Sequence, residues 1–243
     1  MTQLNAQQIE ALTGTADLHI HTTASDGLST VKQVLDYTAE QTSLDVIAIT
    51  DHDVLDASLW AAGQQKFYPF DIVPGVEVTS HDGHVLALWV TQPVPMGLSL
   101  AETVAEIHRQ GGLAIVAHPF EPMIAPLSCW RYLHHPSVLE EAKVDGVETM
   151  NAGALTPGGS RLARAIFTRR QIAVTGGSDA HMDTCIGTGI TRFVGRTAAD
   201  LRRSIELGQT AVEGKRWHLS TYFRHFSMSR QMKRNASLAT SAP

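Results

Sequence analysis

The sequence predicts an α/β fold, a parallel sheet covered by helices. Three observations predict it. Short β-branched runs bounded by Gly and Asp recur along the chain, amphipathic helical patterns separate most of them, and polar residues gather where the runs end. Periodicity alone leaves both an open doubly wound sheet and a closed barrel available. At 243 residues and 43% hydrophobic content, the chain is long enough for one sizeable core and reads as one domain.

The elements follow in order. "MTQLNAQQIEALTG" is polar, lacks the basic start of a signal peptide, and reads as a short helix over Ala6–Leu12. "ADLHIH" is the first strand. "STVKQVLDYTAEQ" places Val31, Val34, Leu35 and Thr38 on one side of a helix. "DVIAIT", "DIVPGVEV" and "HVLALWV" are the next three strands. "SLAETVAEIHRQGG" sets Leu100, Val104 and Ile107 at helical spacing, with Ser99 and Glu102 as a capping box and Gly111 as a stop. "GLAIVAH" is the fifth strand, and the Pro-containing stretch Glu121–Pro136 is the least regular internal segment. "DGVETMN" and "IAVTGGSD" flank the helical "SRLARAIFTRR". "TRFV" is a last strand and "AADLRRSIELG" a last helix. Residues 1–15 form an N-terminal extension, 16–215 the main domain, and 216–243 a basic C-terminal tail.

Charge and cysteine content narrow the function classes. The net charge of −5 does not suggest a general nucleic-acid binder, and no stable nucleic-acid partner is evident. Arg224, Arg230, Lys233 and Arg234, with no acid after Thr221, give the tail about +4 and so leave the body about −9. Such a tail reads as a solvated terminus. Two cysteines, Cys129 and Cys185, make neither a disulfide framework nor a thiolate zinc site and fit a reducing, cytoplasmic setting. No apolar run reaches membrane-spanning length.

The strand ends carry the chemistry. His19 and His21 stand two apart at the end of the first strand, so both imidazoles point to one face. Asp26 follows in the loop. The second strand ends in Asp51, His52 and Asp53, the third near Glu77, the fifth at His118, and the seventh at Asp179 and His181. The fourth opens with His84. Most of these are C-terminal strand ends, where parallel α/β proteins build their sites. Burying such groups without partners is costly, and shared cations relieve the cost. Imidazole with carboxylate, without thiolate, suits Zn, Mn or Fe, and so many candidates suggest two or three ions. Asp51 and Asp53 read either as carboxylates orienting a ligand histidine or as loop caps. Any one of the histidines alone reads as an ordinary hydrogen-bonded residue; the ordered set is what signals metal.

"DLHIHTTASDG", "LDVIAITDHD", "GVEVTS", "HVLAL", "AHPF" and "GGSDAH", in that order, resemble the PHP (polymerase and histidinol phosphatase) family of metal-dependent phosphoesterases, over about Ala16 to Thr210. The resemblance implies a distorted seven-stranded β/α (TIM-like) barrel with a multinuclear site at the C-terminal strand ends. It implies one ion on His19, His21, Glu77 and Asp179, a second on Glu77, His84 and His118, and a third on Asp26, His52 and His181. Glu77 is the expected bridge, and Glu77, Asp179 and His181 are placed at the catalytic centre. The implied activity is hydrolysis of a small phosphorylated metabolite or nucleotide. The alternatives are an amidohydrolase-like hydrolase, for which no lysine stands at a strand end, and a non-catalytic metal-binding accessory protein. Only 33 residues separate His84 from His118, too few for a lid domain. Trp130, in the irregular segment, is therefore expected to shape the pocket. Arg161, Arg164 and Arg192 are candidate phosphate contacts.

Overall fold

The strands are β1 (Gly14–Ile20), β2 (Val46–Ile49), β3 (Asp71–Ser80), β4 (Gly83–Leu88), β5 (Leu113–Val116), β6 (Gly146–Asn151), β7 (Ala173–Gly177), β8 (Gly189–Phe193) and β9 (Thr210–Gly214). The helices are α1 (Val31–Gln41), α2 (Asp56–Gly63), α3 (Leu100–Arg109), α4 (Pro126–His134), α5 (Val138–Glu141), α6 (Gly159–Phe167), α7 (Ala198–Glu206) and α8 (Leu219–Thr240). The computed structural model describes residues 10–170 and 172–240, and the helix expected over Ala6–Leu12 lies largely outside them.

Local chemistry explains the helix starts. Thr30, Ser99 and Thr197 each form a full capping box with Gln33, Glu102 and Asp200, satisfying amides that the first turn leaves unpaired. In α3, Leu100, Val104 and Ile107 turn inward as their spacing requires. Burying a side chain of that size stabilises by roughly 1.5–3 kcal/mol.

The sheet runs β7-β6-β5-β4-β3-β2-β1-β8-β9. Beyond β7, Ile20 bridges Ala180, the His21 amide donates to the Ala180 carbonyl at 2.9 Å, and the Ala180 amide donates to the His19 carbonyl at 3.2 Å. The sheet therefore nearly closes into a barrel. One apolar cluster collects Leu18, Ala48, Val73, Leu86, Ile115, Ala173 and Phe193, together with Leu201 and Ile205 of α7. Strands on opposite sides of the sheet meet in this way only inside a closing barrel. Two further clusters pack under α1 and α2 and under α3, α4, α5 and α6.

Two expectations are corrected. Among the described residues the sheet has nine strands rather than seven, because the chain turns back past the rim. β8 pairs antiparallel with the start of β1, and β9 pairs antiparallel with β8. "TRFV" is legible as a strand; "TAVEG" is not, since its burial fades to exposed Glu213 and Gly214. The sheet is also not uniformly parallel. β4 runs antiparallel to both β3 and β5, joined to β3 by a tight turn. That reversal carries the beginning of β4 to the rim where its neighbours end.

β1 holds a register irregularity between Asp17 and Ile20. Ala16 and Leu18 join the barrel-interior cluster, whereas Ile20 packs with the cluster under α1. An extra residue in a strand changes the face that follows it.

Candidate metal centre

The rim formed by the ends of β1, β2, β3, β5 and β7 and the start of β4 gathers all nine sequence-predicted ligands. Glu77, buried on β3, is the hub. Its Oε1 lies 2.9 Å from His84 Nδ1 and 3.0 Å from His118 Nε2. Its Oε2 lies 3.2 Å from His19 Nε2, 3.3 Å from His21 Nε2 and 3.1 Å from His52 Nδ1. One carboxylate thus faces histidines from four strand ends, with its two oxygens divided between them. Asp179 Oδ1 stands 3.2 Å from His21 Nε2 and 3.5 Å from His19 Nε2. Asp26, the exposed member, has Oδ1 3.2 Å from His181 Nε2 and 3.7 Å from His21 Nδ1, and Oδ2 3.8 Å from His52 Nε2.

These contacts form four overlapping groups with ligand atoms within 4.8 Å of one another: His21, Asp26, His52 and His181; His19, His21 and Glu77; His19, His118 and Asp179; His52, Glu77 and His84. His21 joins the group around Asp26 as well as the one around Glu77. The grouping is therefore more shared than the three-way apportioning expected above.

The residues fit divalent ions. His19 Nε2, both ring nitrogens of His21 and Glu77 Oε2 are buried without a hydrogen-bond partner. Their close approaches lack hydrogen-bond alignment, and orphaned buried polar atoms are costly. Oxygen and imidazole donors converging in this way match Zn, Mn or Fe chemistry.

Electrostatics tell the same story. Burial opposes charge on Glu77, yet His19 and its neighbours hold the carboxyl well below its ordinary value. Burial likewise opposes charge on Asp179, and the surrounding histidines lower it. Burial disfavours the His19 cation, but Asp179, Glu77 and Glu148 raise the ring well above its usual value. For His21 the same opposition, burial against Asp179 and Glu77, ends at about 9. The cluster has a strong affinity for positive charge, from protons or from metal.

Glu148, on β6, is the residue sequence reasoning missed. His19 Nδ1–H donates to its Oε1 at 3.1 Å, which leaves the Nε2 lone pair aimed at the centre. Its Oε2 accepts from the His118 amide at 3.0 Å and from Asn151 Nδ2 at 2.8 Å. Asn151 Nδ2 also donates to Asp179 Oδ2 at 3.1 Å. The available signal was an acid inside "GVETMN", a strand buried at every position. Gly177 makes the contact possible, since a Cβ there would stand 2.5 Å from Glu148 Oε1 and 2.6 Å from His19 Cβ. His181 is fixed similarly, its Nδ1–H donating to the Asp179 carbonyl at 2.9 Å. Backbone strain collects here: His118 and Asp179 hold φ of 26° and 53°, unusual for residues other than glycine.

Asp51 and Asp53 act as loop braces rather than histidine partners. Asp51 accepts from the Thr22 amide and hydroxyl at 2.7 Å and from the Ser25 hydroxyl at 2.6 Å. Asp53 accepts from the Thr79 amide at 2.8 Å. Arg192 points to the opposite end of the barrel, donating to the Leu12 carbonyl, because β8 runs against β1. Arg161 and Arg164 lie exposed on α6. Trp130 does not line the centre; it is 65% exposed and packs on His134 with ring centroids 3.9 Å apart. Tyr132 of the same helix is core, its hydroxyl donating to the Asp82 carbonyl at 2.7 Å. The terminal segment read as a solvated tail contains α8. There Tyr222 donates to the Ala154 carbonyl at 3.0 Å, and the His225 ring lies 5.3 Å from that of His181.

A nearly closed α/β barrel with an imidazole–carboxylate cluster on one rim is the architecture of metal-centred barrel proteins. Comparison with known proteins gives the family. Residues 159–210 match the family model described as PHP-associated. An uncharacterized protein of Methanocaldococcus jannaschii is 31% identical over 148 residues, 56% of this chain and 81% of that protein. Phosphoribosyl 1,2-cyclic phosphate 1,2-diphosphodiesterase of Eggerthella lenta is 32% identical over 103 residues, 40% of this chain and 39% of that one. Among solved structures, a two-domain protein of Bacteroides vulgatus containing a predicted PHP-like metal-dependent phosphoesterase superposes with a TM-score of 0.67 at 18% identity, over 83% of this chain and 64% of that chain. The chain belongs to the PHP family. Among the described residues, no helix is long and apolar enough to cross a membrane.

Proposed function

We propose that the chain is a metal-dependent phosphoesterase. It hydrolyses a small phosphorylated metabolite or nucleotide at a centre of two or three Mn, Zn or Fe ions. The ligands are His19, His21, Asp26, His52, Glu77, His84, His118, Asp179 and His181, within a catalytic domain of residues 16–215. The observation that carries this reading is the set of buried, unpartnered ligand atoms, His19 Nε2, His21 Nε2 and Glu77 Oε2, converging at the rim. The diphosphodiesterase relative supports the reaction class. Free Cys129 and Cys185 support a cytoplasmic setting.

Divalent ions bound there acidify water and neutralise charge on the phosphoryl oxygens. The chain's own residues prepare the place. Glu77 presents one oxygen to each side of the cluster and so fixes the spacing of the two halves. Glu148 holds His19 in the tautomer that leaves Nε2 free. The Asp179 carbonyl does the same for His181. Asp26, the most exposed ligand, stands where a substrate enters.

The test is release of nitrophenol from p-nitrophenyl phosphate and bis(p-nitrophenyl) phosphate with added Mn, before and after chelation, with metal content measured by mass spectrometry. Hydrolysis that disappears on chelation and returns with metal is expected. Full activity at near-zero metal content overturns the reading.

A further inference from the structure

A crevice of about 580 Å³ lies beside the metal centre, between the turn after His181 and the start of α8. That volume falls in the range of small-molecule sites. Its floor includes Met182, Cys185 and Trp217, and its rim carries Lys215, Arg216 and Arg224 against one carboxylate, Glu213. Glu213 is drawn partly elsewhere, with Oε2 3.6 Å from Arg192 Nη1. The Arg216 fork is tied to the Ala154 and Leu155 carbonyls, so its charge is stationary. Trp217 is fixed by its Nε1–H, which donates to Thr188 Oγ1 at 3.2 Å. Burial pushes the Cys185 thiol up to about 12, so the floor sulfur is unreactive at neutral pH.

The crevice shares a wall with the centre. Met182 follows His181 in sequence, and the Trp217 ring stands 6.4 Å from His225, which packs edge-on against His181. None of the nine metal-ligand candidates lines it.

We propose that this crevice is a second binding site, for a small planar aromatic ligand carrying an anionic group. An aromatic ring stacks on Trp217 and meets the soft sulfur of Met182. The anion meets Lys215 and Arg224. A neutral ring leaves the cations unused, and a small non-aromatic anion leaves the floor unused. Each half alone therefore binds more weakly than the two joined.

The probes are naphthalene-2-sulfonate, which has both features and is a poor metal ligand, 2-naphthol and methanesulfonate. Equilibrium dialysis against the metal-loaded protein gives the three affinities. One naphthalene-2-sulfonate per chain is expected, with a Kd roughly tenfold or more below those of the other two, as base-type stacking on an aromatic ring implies. Trp217→Leu should weaken it by about the same factor. Because Trp217 also packs against the core, the exposed Arg224→Glu is the deciding variant, expected to raise Kd by at least tenfold with metal content and circular dichroism unchanged. Equal affinity for the three probes, or wild-type binding by Arg224→Glu, overturns the proposal. Failure of the hydrolysis assay leaves this measurement untouched, since it reads binding without turnover.

Discussion

At the residue scale the centre depends on which atoms are paired and which are left free. Glu148 is paired on every side, to His19, the His118 amide and Asn151, while His19 Nε2, both His21 ring nitrogens and Glu77 Oε2 have no hydrogen-bond partner. Removing a carboxylate that orients a metal-binding histidine costs roughly 10–100-fold in metal affinity. Glu148→Ala should lose about that much while the fold persists, as read by metal titration and circular dichroism. Glu77→Gln should lose about as much or more, with a fall in metal stoichiometry, because one oxygen faces His84 and His118 and the other faces His19, His21 and His52. An active Glu77→Gln enzyme with unchanged stoichiometry would show that the centre lies elsewhere. The histidines add a pH dependence. His21 is raised to about 9 before metal binds, so it contributes stability to the metal-free fold that is fully present below its ordinary value and lost as pH rises through 9. Metal and proton compete for the same nitrogens. Metal uptake at pH 7 should release protons, and apparent affinity should climb with pH toward 9. Calorimetry in buffers of different ionisation enthalpy checks this; an uptake heat independent of buffer would contradict it.

At the element scale, strand direction decides what reaches the rim. His84 opens its strand, yet joins residues that close theirs, because β4 runs against both its neighbours, β3 and β5. Alternating apolar runs predict strands but carry no sign for direction, so this reversal was not legible. The glycine at the end of β7 was visible in "GGSDAH", but its reason is tertiary. Gly177→Ala should push Glu148 and His19 apart and lower metal occupancy more than it lowers secondary structure, measured by metal analysis beside far-ultraviolet circular dichroism. α4 gives the opposite lesson. Its irregular, aromatic-rich sequence suggested a pocket wall, but the helix buries Tyr132 and turns Trp130 outward. Trp130→Ala should therefore change stability by no more than about 0.5 kcal/mol and leave the ratio of kcat/KM between a nucleotide and a sugar phosphate where it was. A shift in that ratio would restore Trp130 as a specificity residue.

At the scale of the whole molecule, the barrel concentrates buried charge where its strands converge, so metal and stability are coupled. An ion that binds only the folded chain stabilises it by about 2.7 kcal/mol at a hundredfold excess over its Kd. Thermal unfolding should rise by several degrees on adding Mn or Zn and return on chelation; a Tm indifferent to both would separate the cluster from the fold's stability. The sequence by itself determined the α/β class, the positions of eight strands, the helix cap at Ser99, and the nine polar residues of the rim. It did so because side-chain periodicity and capping are local properties, and because chemically costly residues at strand ends are visible one by one. Only the tertiary structure decided that β4 is reversed, that β9 extends the sheet, that Glu148 supports His19, and that α8 lies against His181. Each of these depends on contacts between residues far apart in the chain, such as His19 and Glu148, which stand 129 positions apart. No window of sequence contains both partners of such a contact, so their meeting is fixed by how the sheet closes.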